Sequence, residues 1–244
     1  MMDSISAWFK WLHQTSGIKL TIFYDSYDRS RFIEGLITTL ELSAIVIALS
    51  LFFGAIAAWL YGSKQLWLRR FVGAFVQLFR NTPPLVQIYF FYFAIGPLLP
   101  KVGGAPILGS LGWAIVALTL LETAFTAEIF RAGVEAVPKA TIEAAQALGY
   151  SRAQIFRWVV FPLALRVSMP ALNNNLVNLV KTTTLGYAIA VPELLYMSGQ
   201  IWSEQVNVTE MMIVLLITYI SIVGLINQMM QWCEKKLYVP GFGQ

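Results

Sequence analysis

The chain has 244 residues, of which 57% are hydrophobic and only 12% are charged. Soluble domains average about a quarter charged residues, so the composition excludes an ordinary soluble protein and indicates an integral membrane protein. The apolar runs are continuous and longer than the alternating strands of about ten residues that build membrane β-barrels, and we therefore expect an all-α membrane protein.

Charge, histidine and cysteine content exclude further classes. The net charge of +4 follows membrane topology and does not mark a nucleic-acid surface. One histidine, His13, and one cysteine, Cys233, are too few for a metal cluster or an internal disulfide. The chain also lacks a G-x-x-x-x-G-K-[ST] phosphate-binding loop and a set of nucleophile, base and orienting group. We therefore expect no catalytic site, no metal site and no cofactor in this chain.

The first 61 residues predict a tail and one membrane span. Residues 1–32 form a periplasmic tail whose aromatic residues, among them Trp8 and Trp11, can hold a short amphipathic helix on the membrane surface. A loosely held tail with aromatic anchors is the simpler interpretation. Residues 33–61 form the first span, because residues 42–60 contain no charge and about 20 apolar residues cross a bilayer. The basic residues that follow indicate a cytoplasmic loop; they are Lys64, Arg69 and Arg70.

The second span is predicted at about residues 78–99, beginning at Leu78 or at Pro84. Prolines suit the first turn of a helix, where a missing N–H group costs little. Arg80 therefore lies near a helix N-terminus at the membrane, either as a juxtamembrane anchor or as a contact for a substrate. The polar residues of this entry that we assign to a substrate path are Arg80, Thr82 and Gln87.

The third predicted span, residues 107–131, carries two carboxylates. A carboxylate at the centre of a membrane helix costs about 2.5–3.5 kcal/mol on the insertion scale, so it usually faces the bundle interior or a water-filled path. Glu122 is the deeper of the two and is a candidate for such a path. Glu128 and Arg131 are three residues apart on one helical face, and a simple ion pair is the plainer interpretation.

Between the third and fourth spans lies a polar, helix-prone stretch, residues 138–162. Alanine and leucine favour a first helix, which Gly149 can end because glycine takes the left-handed conformation. Ser151 with Gln154 is a capping-box pattern that starts a second helix, and Pro162 is disfavoured inside the continuation of that helix. Basic residues in and beside the stretch place it in the cytoplasm; they are Arg131, Lys139, Arg152, Arg157 and Arg166.

The fourth predicted span, residues 167–191, is unusually polar. Asn174, Asn178 and Lys181 follow one another at helical spacing and therefore share one face. A single small polar group in a membrane helix usually binds a neighbouring helix, at about 0.6 kcal/mol. Several asparagines together with a lysine instead favour a polar pathway, to which we assign Asn174, Asn175, Asn178 and Lys181.

The rest of the chain predicts one more span. Residues 192–210 contain glutamates but neither lysine nor arginine, as expected of a periplasmic segment, and residues 211–232 form the fifth span. Residues 237–244 are predicted to be a cytoplasmic tail. The N-terminus therefore lies in the periplasm and the C-terminus in the cytoplasm, although the basic residues of the N-terminal tail fit this rule less well.

One pattern in the cytoplasmic stretch is specific. Glu143-Ala144-Ala145 is followed after three residues by Gly149, and after nine more by Val159, with Phe161-Pro162 close behind. This spacing resembles the EAA loop of ABC-importer permeases, although Val159 and Phe161 stand where isoleucine and leucine are more usual. In that family the loop is a pair of coupling helices that docks on a cytoplasmic ATPase. The resemblance implies an ATPase-coupling role for Glu143, Ala144, Ala145, Gly149, Phe161 and Pro162.

Three further segments resemble the permeases for polar amino acids. They are Arg80-Asn81-Thr82-Pro83, Ala127-Glu128-Ile129-Phe130-Arg131 and Lys181-Thr182-Thr183-Thr184-Leu185. Many of those permeases carry Asn-Glu where this chain has Asn174-Asn175, and the missing carboxylate weakens an assignment to arginine or lysine. In the implied cavity, our hypothesis is that Arg80 meets a substrate carboxylate and Glu122 an ammonium group, with hydrogen-bonding walls from Thr82, Gln87, Asn174 and Asn178. The structural alternative is that Glu122 pairs with Lys181 to join two spans.

The resemblance covers residues 33–236 and implies a type I ABC-importer permease fold with five transmembrane helices in the bacterial inner membrane. It implies the membrane subunit of an ATP-driven importer of a polar amino acid or a related compound. The implied partners are a second permease, identical or homologous, a dimer of ATPases that binds ATP and Mg, and a periplasmic binding protein. An ion-coupled secondary amino-acid transporter, which would show inverted repeats or broken helices in matching halves, and a non-transporting scaffold are the alternatives.

Overall fold

The computed structural model describes residues 2–236 and is helical over most of that range, which confirms the all-α expectation. The α-helices in chain order are α1 Met2–Ser16, α2 Ser26–Tyr61, α3 Leu66–Asn81, α4 Pro84–Tyr89, α5 Ser110–Glu135, α6 Lys139–Ala147, α7 Arg152–Ile155, α8 Phe161–Thr182, α9 Leu194–Gln205 and α10 Val208–Lys236. Short 3-10 turns occupy Thr21–Phe23, Gly96–Leu98 and Thr183–Ile189, and π-helical turns occupy Phe90–Ile95 and Phe156–Val160. The predicted tail 237–244 lies outside the described residues.

Among residues 2–236, four helical stretches are long and apolar enough to cross a membrane. They are Ser26–Tyr61, Ser110–Glu135, Arg152–Ile189 and Val208–Lys236. The predicted second span corresponds to a shorter apolar helix, Pro84–Leu98. A small antiparallel hairpin, β1 Lys101–Val102 with β2 Ala105–Pro106, follows it in the loop before α5.

Helix α3 occupies the segment after the first span that the sequence predicts to be a cytoplasmic loop. Arg69 and Arg70 lie within this helix, which is amphipathic because its apolar residues recur at helical spacing. Two of these apolar residues, Val72 and Val76, are buried. Leu78, one of the two proposed starts of the second span, belongs to the same helix. The chain then leaves helical geometry at Thr82, whose backbone is extended as expected before a proline, and the next helix begins at Pro84.

The chain forms two compact units, which are described one at a time. The first unit contains the residues up to Ile45 together with Pro84–Leu118 and Val180–Gly224. The second unit contains Val46–Pro83, Thr119–Leu179 and the described residues from Leu225 to Lys236.

Charged residues tie the N-terminal part of the first unit to α9 and α10. Arg31 of α2 is buried, and its guanidinium donates to both oxygens of Glu204 at 2.8 Å and to Asp28 at 2.6 Å. The backbone N–H of Lys19 donates to Glu210 at 3.0 Å, and Asn207 donates back to the Lys19 carbonyl oxygen at 2.8 Å. The segment before the first span is therefore held at several points.

A buried carboxylate caps α9 within the first unit. Glu193 accepts hydrogen bonds from the backbone N–H groups of Leu195 and Tyr196 and from the Tyr219 hydroxyl. The N–H group of Leu194 donates to Thr39 of α2 at 3.0 Å. These bonds satisfy donors that the first turn of a helix leaves without intrahelical partners.

Two glycines let long helices touch in the second unit. A Cβ on Gly54 of α2 would lie 2.6 Å from Thr126 Cγ2 of α5. A Cβ on Gly133 of α5 would overlap Ser168 Oγ of α8 and lie 2.8 Å from the Ala164 carbonyl oxygen. Because these distances leave no room for a side chain, α5 packs directly against both α2 and α8. The apolar core beside the first contact consists of Ala57, Val72, Val76, Ala124 and Ala127.

Candidate functional site

Residues 138–162, which the sequence predicts to be cytoplasmic, contain the predicted pair of helices joined at Gly149. At the end of α6, Gly149 donates its N–H to the Gln146 carbonyl oxygen at 2.9 Å, and Tyr150 donates to that of Ala145 at 3.2 Å. This is the Schellman arrangement, and Gly149 adopts the φ of 81° that it requires. Local backbone chemistry therefore determines where the first helix stops.

The second helix begins at the predicted capping box. Ser151 Oγ accepts from the Gln154 N–H at 3.4 Å, and the Gln154 side chain accepts from the Ser151 N–H at 2.8 Å. The prediction that Pro162 would disfavour continuation of this helix is wrong. Helical structure runs from α7 through the π turn Phe156–Val160 into α8, where Pro162 occupies the second position. The wider π turn changes the carbonyl partners just before the proline, which has no N–H to donate.

One side of this coupling loop, defined as residues 138–162, is anchored in an apolar cluster. The cluster includes Val137, two residues after the end of α5, and Ala164 in α8, so the loop shares its core with the chain at both of its ends. Ala145 is the member of the predicted coupling set that lies in this core. The full cluster is Val137, Ala145, Ile155, Val160 and Ala164.

Several large apolar side chains of the coupling loop are exposed. Leu148 is 78% exposed and Trp158 is 64% exposed. The remaining exposed large apolar side chains there are Tyr150, Phe156 and Phe161. Five of the six predicted coupling residues are also exposed; they are Glu143, Ala144, Gly149, Phe161 and Pro162. A concentration of exposed aromatic and aliphatic groups of this kind is typical of a protein-binding surface.

Two of the predicted substrate-path residues meet inside the second unit. Glu122 of α5 is 4% exposed, and its carboxylate accepts a hydrogen bond of 2.7 Å from the amide of Asn175 in α8. Asn174 and Asn178 are exposed on a different face of α8. The fourth asparagine of this helix, Asn173, donates to Asn227 of α10 at 2.8 Å. The four asparagines of α8 therefore have different surroundings.

Arg80 lies at the end of α3, beside α5 rather than at a helix N-terminus. Its guanidinium lies 3.9 Å from the carboxylate of Glu128 and 5.4 Å from the ring centroid of Phe125. The hydroxyl of Thr82, the residue that follows α3, donates to the Leu78 carbonyl oxygen of that helix. Two path residues belong to the first unit, where Gln87 is buried and Lys181 is exposed.

Comparison with known proteins identifies the family. The family model described as "Binding-protein-dependent transport system inner membrane component" matches residues 20–238. The chain belongs to this family. The EAA-loop resemblance is therefore confirmed, and the chain is a multi-pass membrane permease of the ABC-importer class.

Individual relatives of this permease transport amino acids or related compounds according to their names. It is 38% identical over 163 residues to the probable glutamine ABC transporter permease protein GlnP of Bacillus subtilis (strain 168), covering 67% of this chain and 72% of the relative. It is 34% identical over 182 residues to the octopine transport system permease protein OccM of Rhizobium radiobacter, covering 73% and 74%.

A solved structure confirms the fold of the permease. The crystal structure of an amino acid ABC transporter with histidines superposes with a TM-score of 0.77 at 25% identity, covering 85% of this chain and 94% of that one. The all-α type I importer fold predicted from the sequence is thus confirmed, and the comparisons favour an ABC permease over an ion-coupled secondary transporter.

The structure adds an ionic cluster to the predicted sites. Arg131 donates through Nε to Glu128 at 3.0 Å and through Nη1 to Glu135 at 2.5 Å, so the simple pair predicted from the sequence exists within a larger group. Arg131 also lies 5.6 Å from the ring centroid of Tyr61 at the end of α2. The spacing of three and four residues between the acidic groups and Arg131 is visible in the sequence. The approach of Arg80 and Tyr61 is not, because it depends on helix packing.

Proposed function

We propose that this permease is the membrane subunit of an ATP-driven importer that carries a polar amino acid delivered by a periplasmic binding protein. The observation that carries the proposal is the coupling loop, whose capped helices are anchored in an apolar cluster and also expose five large apolar side chains. We assign these exposed groups to a protein partner, since exposed apolar patches mark protein or membrane interaction sites. The ATPase that the family relation implies is that partner.

The chemistry of ATP hydrolysis belongs to the partner in this proposal. ATP and Mg bind to a dimer of ATPase subunits, and this chain contributes neither catalytic residues nor a cofactor site. A second permease, identical or homologous, completes the membrane part of the importer. The distribution of basic residues supports an inner-membrane location with the N-terminus in the periplasm and the C-terminus in the cytoplasm.

The substrate class follows from the relatives and from the polar groups in the membrane helices. The named relatives carry glutamine or octopine, and the structural neighbour was crystallised with histidines. A zwitterionic amino acid offers one carboxylate and one ammonium group. We assign the ammonium group to Glu122, whose buried carboxylate has an amide partner in Asn175, and the carboxylate to Arg80.

The remaining path residues supply hydrogen bonds in the same proposal. Thr82, Asn174 and Asn178 of the second unit, and Gln87 and Lys181 of the first, have side chains that can donate to or accept from a polar amino acid. The competing role for Glu122 is an ion pair with Lys181 that joins two spans. Exchanging the two residues, in the Glu122→Lys, Lys181→Glu variant, would restore uptake only under that competing role.

Transport proceeds by alternating access under this proposal. ATP binding closes the ATPase dimer, the coupling loop moves with it, and the helices attached to the loop change their tilt. A conformational change requires that some interaction differ between the two states. The ATPase dimer supplies that difference at the exposed face of the coupling loop.

The proposed function is tested by reconstituting the permease with its ATPase and binding protein in vesicles. Uptake of radiolabelled glutamine and histidine should require ATP on the side of the vesicle membrane that carries the ATPase subunits. Uptake should persist when ion gradients across the membrane are collapsed. Gly149→Pro should lower uptake by at least about tenfold, because proline fixes φ near −65° where the cap needs 81°. Gly17→Pro is the matched control, since Gly17 has φ of 72° and open space after α1. Uptake driven by an ion gradient without ATP would refute the proposal.

The substrate path is tested in the same vesicles. Arg80→Ala and Glu122→Gln should each lower uptake while the complete importer still assembles. Wild-type uptake in both variants would refute the assignment of the two charged contacts.

A further inference from the structure

The last turns of α5 pack tightly against α8 and against the core of the coupling loop. Gly133 of α5 lies against the Ala164 carbonyl oxygen and the Ser168 side chain of α8 without room for a Cβ. Ser168 also donates to the Ile129 carbonyl oxygen at 3.3 Å. Val137, two residues after α5 ends, is buried in the cluster that anchors the coupling loop. Any displacement of the loop must therefore displace the end of α5.

The ionic cluster lies on these same turns of α5. Glu128, Arg131 and Glu135 are spaced by three and four residues, so they share one face. Arg131 is bound on both sides, by Glu128 and by Glu135. Because Glu135 already holds one nitrogen of Arg131, the carboxylate of Glu128 can turn away without leaving Arg131 unpaired.

Arg80 is the group toward which Glu128 can turn. Their closest nitrogen–oxygen distance is 3.9 Å, which is an ion pair but too long for a hydrogen bond. Both side chains are partly exposed and partly packed, with exposed fractions of 36% for Arg80 and 26% for Glu128. A small displacement of α5 relative to α3 would change this contact from a loose pair into a hydrogen bond.

Arg80 is also well placed to pass on such a displacement. It is the penultimate residue of α3, which ends at Asn81, and the chain then breaks at Thr82–Pro83 before α4 begins. A break of this kind is a place where backbone dihedral angles can change without loss of helical hydrogen bonds.

We propose that Glu128 is a positioning residue that exchanges its carboxylate between Arg131 and Arg80, and so links movement of the coupling loop to the break between α3 and α4. This proposal rests on the proposed function, because it assigns the cluster to the coupling of ATP hydrolysis with transport. Glu128 touches neither the nucleotide nor the transported compound. It acts through the two arginines.

The test uses the complete importer in lipid nanodiscs, with basal ATPase activity, ATPase activity stimulated by the loaded binding protein, and uptake in vesicles measured in parallel. The binding protein is loaded with glutamine or histidine, whichever supports uptake by the wild type. Glu128→Gln keeps the shape of the side chain but removes its charge. We expect basal ATPase activity to remain while the stimulated-to-basal ratio and the amount transported per ATP fall by about fivefold or more.

A double-mutant comparison separates exchange from a static role. If Glu128 acts through Arg80, the Arg80→Gln, Glu128→Gln double variant should lose no more of the stimulated-to-basal ratio than the worse single variant. Losses that multiply would overturn the proposal. A proportional fall in basal and stimulated activity in Glu128→Gln would also overturn it, because that result indicates a structural role.

Failure of the proposed function and failure of the exchange proposal give different results. If the wild type shows no ATP-driven uptake, the proposed function is wrong and the exchange proposal falls with it. If the wild type transports and Glu128→Gln has the wild-type ratio, the exchange proposal alone is wrong. Glu135→Asp serves as the matched control, since it keeps a carboxylate beside Arg131 and should retain the ratio.

Discussion

The contact between α5 and α8 at Gly133 makes a quantitative prediction about stability. In Gly133→Ala the new Cβ overlaps Ser168 Oγ and approaches the Ala164 carbonyl oxygen to 2.8 Å. The serine can rotate, but it then loses its hydrogen bond to Ile129. The carbonyl oxygen belongs to the backbone of α8 and can move only if the two helices separate.

The expected cost combines three effects. The lost serine hydrogen bond is worth about 1 kcal/mol, and forcing one extra carbon into a packed contact costs about 1–3 kcal/mol. Alanine in place of glycine returns about 0.8–1 kcal/mol of helix propensity. We therefore expect Gly133→Ala to lower the free energy of unfolding by about 1–3 kcal/mol.

Unfolding by SDS in mixed micelles, followed by circular dichroism, measures this change. Gly224→Ala is the matched control, because Gly224 lies within α10 with nothing inside 4 Å of its Cβ position, and alanine there should be neutral or stabilising. Adding Ser168→Ala to Gly133→Ala removes the overlap with the serine oxygen and should recover part of the lost stability. The recovery should be incomplete, because the contact with the Ala164 carbonyl oxygen remains. Equal stability of Gly133→Ala and Gly224→Ala would refute the close packing of α5 on α8.

Three further predictions concern other parts of the permease. Gly149→Ala should cost about 1 kcal/mol through its positive φ and weaken binding of the purified ATPase in a pull-down titration, whereas Gly17→Ala should cost a similar amount and leave that binding unchanged. Arg31 holds the pKa of the exposed Glu204 carboxyl below its usual range. The difference in stability between wild type and Glu204→Gln should therefore be complete above about pH 4.3 and should vanish as the pH falls through the lowered pKa of the folded protein. A difference that persists at pH 2 would contradict the ion pair. The exposed Trp8 and Trp11 of α1 should contact lipid. The double variant Trp8→Ala, Trp11→Ala should therefore lose the part of the tryptophan fluorescence that lipids brominated near the headgroup quench. An unchanged quenched fraction would place α1 away from the membrane.

The features that could be predicted from the sequence are those decided by neighbouring residues. The stop at Gly149 and the start at Ser151 depend on hydrogen bonds that span three to five residues, so a single pattern determines both. The membrane helices could be predicted for a similar reason, because a run of about 20 apolar residues matches the thickness of a bilayer. The ion pair between Glu128 and Arg131 follows from their spacing on one helix.

The features that the sequence did not reveal depend on contacts between distant parts of the chain. Hydropathy indicates that Glu122 needs a partner, but the partner, Asn175, is 53 residues away and is one of four asparagines on α8. The pairing of Arg31 with Glu204 spans 173 residues. The prediction for Pro162 failed for a different reason, since a propensity rule for ideal helices does not anticipate a π turn directly before the proline.

The opposite faces of α5 are suited to different tasks in coupling. At about 100° per residue, Gly133 lies roughly 140–160° around the helix from Glu128, Arg131 and Glu135. The glycine face contacts the backbone of α8, and packed backbone contacts resist sliding because interiors are nearly incompressible. The ionic face contacts α3 through long side chains, which can change partners while the helices slide. Under the exchange proposal, a displacement of the coupling loop is carried to α5 and α8 together, and relative movement is accommodated between α5 and α3. Gly133→Ala should thus reduce the stability of the permease, whereas Glu128→Gln should reduce its coupling and leave its stability nearly unchanged.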